Sequence, residues 1–373
     1  MGEFLTIGSA TDGELARLAR EAAGLGPAAA AADAREREER EARLRVFDLH
    51  CDTLDRLALS GDPAAPGGFY EHDRRVPRAR MSRLADNDAH ISLARTAAFR
   101  WTQCFAVFVP DEVRGDGAWA FYRRVQRFWE MQRIECRETL AEVRNVADID
   151  AAHEADRTAG LLTVEGAAFL EDDGTAEGRL DALAADGVRM VTLTWNGRNA
   201  LGSGHDTREG LTAFGRACVR ELEDRAIAVD VSHLNDEGFK DVCACARRPF
   251  AASHSNARAV CGHPRNLADW QLRELADCGG VAGLNFCGKF LSDVHADPTP
   301  DDVLRHLDHV LTVAGEDVPA LGSDYDGCDV PTWLNPCNRV ADLRTLVESE
   351  FGPTIAQKLF HDNATAFFNR IES

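Results

Sequence analysis

Short apolar runs alternate with longer segments of helical periodicity from residue 45 to the end of the chain. Eight of these runs have the length and the Val, Leu, Phe and Ala content of buried β-strands. They occupy residues 45–52, 103–109, 160–166, 189–195, 227–233, 250–255, 281–286 and 320–324. In the segments between them, such as 207–226 and 267–279, apolar residues recur three or four positions apart, which predicts helices that cover a sheet.

Alternating strands and helices favour parallel pairing, and eight repeats over about 280 residues fit a closed barrel better than an open doubly wound sheet. Polar and ionisable residues stand at the carboxyl ends of the runs, as in DLHCD, VEG, VSH, SHS and GSD. In a barrel these ends converge on one mouth. The sequence therefore predicts an α/β fold, a (β/α)8 TIM barrel of the metal-dependent hydrolase type, over residues 45–373.

Residues 1–44 differ from the rest of the chain in composition and charge pattern. They are rich in Ala, Glu and Arg, and their charges are intermixed without a wide apolar stripe. We expect a helical or flexible extension that precedes the barrel domain.

Composition and charge exclude several classes of partner. The chain carries 42 Lys and Arg against 62 Asp and Glu, a net charge of −20, which repels nucleic acid and anionic membrane surfaces. It has neither a membrane-spanning apolar run nor the pattern of a secretory signal, so we expect a cytoplasmic protein. Its 11 cysteines, without a CxxC pair, are typical of free thiols in a reducing compartment. A monomer and a homodimer both remain open.

Two predicted strands end in residues of the types that commonly bind metals. His50 and Asp52 close the first run and, because side chains alternate along a strand, they point to the same face. Glu165 closes the apolar run GLLTV, where a carboxylate without a cationic partner pays a desolvation cost of several kcal/mol. Taken singly, each has an ordinary structural explanation, such as a capped histidine or a glutamate that caps the next turn.

Two histidines complete this set. His233 closes the fifth run and His254 the sixth, and neutral imidazoles suit zinc. A single strand histidine is more often a core residue, but two at consecutive strand ends, together with the first three donors, are poorly explained by chance. Five ligands exceed the three that usually hold one catalytic zinc, so the count predicts two zinc ions.

An anionic group must bridge two such ions. Glu165 has two carboxylate oxygens and a central position, and a hydroxide is expected beside it as the nucleophile. The alternative bridge, a carbamylated lysine, needs a lysine at a strand end. The chain has three lysines: Lys289 lies beyond the seventh run, and Lys240 and Lys358 lie in helical segments. Hydrolysis is the reaction class that such a centre favours.

A hydrolase of this kind also needs a group that takes and returns a proton. Asp324, at the end of the last run in ALGSDYDG, is placed to act as general base and acid. Asp326 lies two residues later, and either aspartate could instead cap the following segment. Asp324 is chosen because it is nearer to the strand.

These motifs resemble those of the membrane dipeptidase (renal dipeptidase) family, binuclear zinc peptidases among the amidohydrolase-like barrels. The resemblance runs from about residue 47 to the carboxyl terminus and rests on FDLHCDTL, VEG, TLTWNGRN, VDVSH, ASHSNARAVCGHPRN and LGSDYDG, in that order. It implies that His50 and Asp52 bind one metal, that His233 and His254 bind the other, and that Glu165 bridges them. By the same resemblance Asp324 matches the proton shuttle.

The resemblance also bears on the substrate. Arg265, in HPRN, matches the arginine that holds the free carboxylate of a dipeptide, a role that suits a planar guanidinium. One departure stands out, because Trp195 occupies the place of a substrate-contacting histidine. Either the metals alone stabilise the oxyanion, or a nearby group, His205 or Asn199, substitutes.

The leading hypothesis is thus a zinc-dependent dipeptidase with a small-molecule dipeptide as substrate. A related barrel hydrolase acting on another amide, such as an N-acyl amino acid or a lactam, is the alternative, since fold and metals do not choose the substrate. A metal-bound barrel without catalysis is the second alternative.

Overall fold

The computed structural model describes residues 41–62 and 81–372. The compact unit that contains the barrel begins at Arg45. Residues 1–40 of the expected extension lie outside the described residues, so the division of the chain at residue 44 stays a prediction.

Nine parallel strands form one sheet within the described residues, and eight of them close into a barrel. Around the barrel the order is β1, β2, β4, β5, β6, β7, β8, β9 and back to β1, whereas β3 pairs with the amino end of β4. The strands are β1 Arg45–Cys51, β2 Arg100–Phe108, β3 Leu140–Glu142, β4 Thr158–Glu165, β5 Val188–Thr192, β6 Ala228–Asp230, β7 Ala251–Ala252, β8 Val281–Leu284 and β9 Pro319–Leu321. The predicted barrel fold is confirmed, and each of the eight predicted runs overlaps one barrel strand.

Helices follow most strands and cover the outside of the sheet. The α-helices are α1 Thr53–Ala58, α2 Leu93–Thr96, α3 Gly115–Glu135, α4 Val146–Glu154, α5 Ala176–Ala185, α6 Ala213–Asp224, α7 Asp236–Cys245, α8 Asp269–Cys278, α9 Gly288–Leu291, α10 Pro300–Ala314, α11 Val340–Gln357 and α12 Asn363–Glu372. Side-chain caps fix where several begin: Thr212 and Asn235 accept backbone N–H bonds from the first turns of α6 and α7. Within residues 41–62 and 81–372, no helix combines the length and apolar character that crossing a bilayer requires.

The lower half of the barrel is an apolar core. Each of the eight barrel strands contributes a buried residue to one cluster, and α12 closes it with two phenylalanine rings, Phe367 and Phe368. The strand residues are Phe47, Cys104, Ala159, Met190, Ala228, Ala251, Val281 and Ala320. We call this cluster the floor. The opposite end, where the strands finish, is called the mouth.

Several strands end earlier than the apolar runs suggest. β6 ends at Asp230 and β7 at Ala252, so His233 and His254 lie in the loops beyond them. His233 has φ +70°, a left-handed backbone that a non-glycine residue rarely adopts. The chain thus leaves the strand before the histidine, and a turn directs the imidazole into the mouth.

Candidate metal centre

All five predicted metal ligands converge at the mouth. His50 Nε2 lies 3.6 Å from Asp52 Oδ1 and 3.3 Å from Glu165 Oε2. The His50 and His254 rings stack with centroids 3.8 Å apart. The Nε2 atoms of His233 and His254 are 3.1 Å apart. Side chains that are far apart in the sequence therefore lie close enough together to bind the same metal ion.

Glu165 stands at the centre and divides its two oxygens between two groups. Its Oε2 faces His50, whereas its Oε1 lies 2.7 Å from His233 Nε2 and 3.6 Å from His254 Nε2. It is the last residue of β4, and its side chain is buried. A carboxylate with one oxygen toward each group has the arrangement of a bridging ligand.

Hydrogen bonds on the far side of two imidazole rings orient them. His233 Nδ1 lies 2.8 Å from the amide oxygen of Asn196, which can only accept, so Nδ1 carries the proton. Ser253 donates to the buried Asp230 carboxylate at 2.5 Å, and its oxygen therefore accepts from His254 Nδ1 at 2.7 Å. Both Nε2 atoms keep a lone pair directed at the centre, as metal-binding histidines require.

Burial and charge set the protonation of these groups. Burial is the main cause that lowers the pKa of His233 and of His254 well below the ordinary value, so both rings are neutral. Burial disfavours a charge on His50, but Glu165 and Asp52 outweigh it and raise its pKa well above the ordinary value. Burial, followed by the charge of Asp52, raises the pKa of Glu165 to about 7.

The residues present fit a metal centre by three observations. His50 Nε2 and Asp52 Oδ1 are buried without a hydrogen-bond partner, which is costly unless a cation satisfies them. His50, Glu165 and His254 offer donor atoms within 4.8 Å of one another, and so do His50, Asp52 and Asp324. Imidazole and carboxylate donors of this kind suit zinc.

Gly327 allows the loop after β9 to pack closely against Asp52. A Cβ at Gly327 would lie 2.0 Å from Asp52 Oδ2 and 2.5 Å from Asp324 Oδ1. Since even alanine would collide with both carboxylates, the loop after β9 can approach the centre only with glycine at this position.

Asp324 and Asp326 have different environments, although both have left-handed backbones, with φ +61° and +71°. Asp324 Oδ2 accepts from Asn285 Nδ2 at 3.0 Å, and burial raises the pKa of Asp324 to about 6, with His50 opposing this shift. The Asp326 carboxylate instead accepts from Thr53 Oγ1 at 2.5 Å and from the His90 backbone N–H at 2.6 Å. Asp326 therefore links the loop after β9 to Thr53 and His90, whereas Asp324 lies beside the donor atoms of His50 and Asp52.

A cavity of about 310 Å³ opens above the centre, within the size range of small-molecule sites. Trp195 forms part of its wall and packs edge-on against Phe108, with ring centroids 5.0 Å apart. The other lining residues are Asp52, Glu165, Asn196, His205, Asp206, His233, His263, Cys287, Lys289, Phe290, Asp324, Asp326, Gly327 and Cys328. The substitution by tryptophan thus makes one wall aromatic and apolar.

Arg265 lies behind the cavity wall rather than among the residues that line it. It is 3% exposed, and its guanidinium donates to Ser255 Oγ at 2.6 Å and to the His254 carbonyl at 3.1 Å. Its Nε is buried with no hydrogen-bond partner in the described residues. The Nε–H of the guanidinium is thus left for another group.

Of the two groups considered in place of the missing histidine, one reaches the cavity. His205 lines it, its Nδ1 is buried without a hydrogen-bond partner, and burial lowers its pKa to about 4. Asn199 instead bonds within its own loop, to the Leu193 carbonyl and to the N–H groups of Leu201 and Gly202. The side-chain amide of Asn199 is thus engaged within its loop, and Asn199 is not among the residues that line the cavity.

Sequence reasoning missed the residues that hold the ligands. Asn285, Asn196, Asp230 and Ser253 position Asp324, His233 and His254 through hydrogen bonds, most of them between segments that are far apart in the sequence, and residue spacing does not reveal such bonds. Asn285 had one usable signal, because it follows strand β8 in VAGLNF as the other polar site residues follow theirs.

Comparisons with known proteins identify the family of this chain. The model of the family described as membrane dipeptidase, peptidase family M19, matches residues 35–373. The "uncharacterized protein in pqqA 5'region" of Klebsiella pneumoniae is 38% identical over 231 residues, which cover 59% of this chain and 84% of that protein. The "uncharacterized protein in PQQ-III 3'region" of Acinetobacter calcoaceticus is 28% identical over 295 residues, 71% of this chain and 89% of that protein.

Two solved structures are similar over most of the chain. Dipeptidase AC, a metallopeptidase of family M19, is 29% identical with a TM-score of 0.78 and covers 88% of this chain and 98% of its own. A metallopeptidase from Rhodobacter sphaeroides, liganded with a phosphinate mimic of the dipeptide L-Ala-D-Ala, is 27% identical with a TM-score of 0.76 and covers 88% of this chain and 99% of its own.

Proposed function

Because this chain belongs to the membrane dipeptidase family, peptidase family M19, and is a metal-dependent dipeptidase, we propose that it works with two zinc ions bridged by Glu165. His50 and Asp52 would hold one ion, and His233 and His254 the other. The observation that carries this proposal is the division of the Glu165 oxygens, with Oε2 toward His50 and Oε1 toward His233 and His254.

Zinc ions bound here would polarise the scissile carbonyl and lower the pKa of a water molecule so that it attacks at neutral pH. Asp324 takes the proton released in this attack and returns it to the leaving amine. Two features support this role: its side chain lies beside the donor atoms, and Asn285 holds one of its oxygens at 3.0 Å.

Substrate recognition follows from the groups around the cavity. We place the free carboxylate of the dipeptide at the part of the cavity wall in front of Arg265, whose Nε is buried without a partner and whose planar guanidinium suits a carboxylate. Direct contact requires the side chains between them to move aside when the substrate binds. His205 lies on the cavity wall with an unpartnered Nδ1, and we assign it a contact with the substrate. The phosphinate held by the Rhodobacter sphaeroides relative suggests L-Ala-D-Ala as a first substrate to test.

Trp195 favours a second candidate function. Without the histidine expected at this position, the enzyme could act on another amide, such as an N-acyl amino acid or a lactam. The apolar edge that Trp195 and Phe108 present to the cavity suits an acyl group. The two candidates differ in whether the substrate needs a free amine.

A substrate panel separates them. Zinc-saturated protein is given L-Ala-D-Ala, L-Ala-L-Ala, a carboxamide-blocked dipeptide and an N-acyl alanine. We expect hydrolysis of a dipeptide, and a kcat/KM at least about 30-fold lower for the blocked one, the cost of leaving a buried arginine unpaired. Arg265→Met should abolish this difference.

Faster hydrolysis of the N-acyl alanine than of both dipeptides would favour the second candidate. No turnover of any substrate by protein that has bound zinc would contradict both and leave the non-catalytic alternative.

A further inference from the structure

Two cysteines and the proton-carrying aspartate meet at one side of the cavity. Cys287 follows β8 and Cys328 follows β9, and their Sγ atoms and a carboxylate oxygen of Asp324 all lie within 4.8 Å of one another. Cys287 is 3% exposed, Cys328 is half-buried, and both line the cavity. The dipeptidase mechanism uses neither thiol.

We propose that Cys287, Cys328 and the Asp324 carboxylate form a third cation site, which takes a thiophilic divalent ion, zinc, and that its occupation inhibits the enzyme. The inhibition rests on the proposed function of Asp324. The binding does not, because it depends on the three donor atoms alone.

The chemistry of the donors selects this class of ion. Two sulfur atoms and one carboxylate oxygen form a soft set that favours zinc and cadmium over magnesium and calcium. Zn–S bonds of about 2.3 Å at a tetrahedral angle place two sulfur atoms about 3.8 Å apart. Since the donor atoms already lie within 4.8 Å, a small side-chain rotation closes the site.

One residue pre-positions two of the three donors. Asn285 Oδ1 accepts the backbone N–H of Cys287 at 2.6 Å, and Asn285 Nδ2 donates to Asp324 Oδ2 at 3.0 Å. The third donor, the Cys328 thiol, belongs to the loop after β9. Its position in that loop is held by a contact of 3.3 Å with the Asp324 carbonyl oxygen. These bonds fix the loops on which the donors lie, and the site needs no rearrangement of the barrel.

Cation binding explains this cluster better than a disulfide does. A disulfide needs two sulfur atoms and gives the carboxylate no part. Thiol oxidation also proceeds through the thiolate, whereas burial raises the pKa of Cys328 well above its ordinary value and keeps that thiol protonated. A bound zinc ion deprotonates coordinating thiols directly, so that binding releases two protons and leaves the oxidation state of sulfur unchanged.

Inhibition follows from the shared carboxylate. Asp324 cannot accept a proton from the attacking water while its oxygen is bound to a cation. Zinc supplied beyond the two ions of the catalytic centre should therefore lower the rate.

The experiment uses the enzyme loaded with two equivalents of zinc, to which Cd²⁺ is added as the probe. Thiolate binding is read from the ultraviolet charge-transfer band of cadmium, and the dipeptidase rate is read in parallel. The variants Cys287→Ser and Cys328→Ser each remove one sulfur. Cys261→Ser is the matched control, because Cys261 also lies beside a carboxylate, 3.3 Å from Asp293, but outside the cluster.

We expect one further cadmium per chain, with its charge-transfer band, in the native enzyme and in Cys261→Ser. Both cluster variants should lose the band, and the cadmium concentration that halves each variant's own rate should rise at least tenfold. A band that persists in both cluster variants, or no third equivalent in the native enzyme, would overturn the site. A band without inhibition would overturn the inhibitory role.

A second measurement needs no variant. Cadmium uptake at the site should release protons from the thiols, as read by a pH indicator in weakly buffered solution, and uptake without proton release would contradict the proposal. A protein that shows the band and this proton release but hydrolyses no dipeptide refutes the proposed function and leaves the site intact.

Discussion

At the floor of the barrel each of the eight barrel strands contributes an apolar side chain to a cluster that Phe367 and Phe368 close, whereas at the mouth β1, β4, β6, β7 and β9 end in, or are followed by, histidines and carboxylates. The mouth also contains three of the five non-glycine residues with positive φ that the described residues hold: His233, Asp324 and Asp326. Buried atoms without partners lie there too, among them His50 Nε2 and Asp52 Oδ1. Most of the non-glycine residues with positive φ and several unsatisfied polar atoms thus lie at this end.

Stability and function are divided along each barrel strand. Apolar burial at the floor stabilises the fold at roughly 25 cal/mol per Å². At the mouth, each non-glycine residue with a left-handed backbone lowers the stability by about 1–3 kcal/mol, and desolvated charges lower it further. Substitutions of floor residues should therefore lower stability, whereas substitutions of the proposed metal ligands and of Asp324 at the mouth should lower metal affinity or activity.

The largest effect is expected from Asp324→Asn at the mouth. Loss of the proton carrier should lower kcat by about 10³-fold while both zinc ions remain bound, since general acid–base catalysis contributes about 10²–10⁴-fold. Zinc content, the rate and the midpoint of urea unfolding are measured together.

Asp326→Asn is the matched control, because Asp326 accepts hydrogen bonds from Thr53 and His90. The free energy of unfolding of Asp326→Asn should fall by about 1–3 kcal/mol, and its loss of kcat should be smaller than that of Asp324→Asn. An Asp324→Asn enzyme with the native rate would contradict the assignment of the proton carrier.

Phe368→Ala tests the floor. The Phe368 ring is 1% exposed and stacks on Phe47 with centroids 5.4 Å apart. Its removal should lower the free energy of unfolding by about 4 kcal/mol, and Phe368→Leu should lower it less. At zinc saturation kcat should stay within about twofold of the native value, and a loss comparable to that of Asp324→Asn would refute the division between the two ends.

His306 offers a test by pH in a loop contact at the mouth. Its Nδ1 accepts the Ala257 N–H at 3.1 Å, its Nε2 donates to the Leu291 carbonyl at 3.0 Å, and burial lowers its pKa to about 4. A lowered folded-state pKa means that the unfolded chain binds the proton more readily. The stabilisation is therefore complete above about pH 6.5 and is lost as the pH falls toward 4, by up to about 3 kcal/mol.

Urea unfolding of the native protein and of His306→Gln at several pH values measures this effect. The variant should be less stable at pH 7 and should show a smaller decrease on acidification. Equal pH slopes for the two proteins would contradict it.

Ser253→Ala gives the smallest expected effect. Removal of the hydroxyl that holds His254 Nδ1 at 2.7 Å should weaken zinc affinity by about 10- to 100-fold, as measured by competition with a chelator. Ser232→Ala is the control, because the Ser232 hydroxyl accepts from the backbone N–H of His254 and not from its ring. Equal losses in the two variants would mean that orientation of the ring is unimportant.

The sequence predicts the parts of this structure that follow from local patterns. The eight barrel strands follow from apolar runs, and the positions of His50, Asp52 and Glu165 follow from alternation and from strand ends. The short strand β3 is not predicted, because Leu140–Glu142 has too few apolar residues to stand out. The engagement of the Asn199 amide within its loop could not be foreseen either, since its bonds depend on how that loop closes.

The supporting residues escape prediction for a different reason. Asn285 holds Asp324, and Asn196 holds His233, across loops that meet only after the barrel has closed. The Cys287 and Cys328 pair likewise joins loops after different strands. Chemistry carried by strand ends can be read from a sequence, whereas contacts between loops need the fold.

We propose above that five donors hold two zinc ions with Glu165 between them. Anomalous X-ray scattering at the zinc edge, from crystals of the protein with two equivalents of zinc, tests it directly. We predict two peaks about 3.5–4 Å apart, one beside His50 and Asp52, the other beside His233 and His254, with one Glu165 oxygen on each. A single peak, or a pair of peaks away from Glu165, would contradict the account.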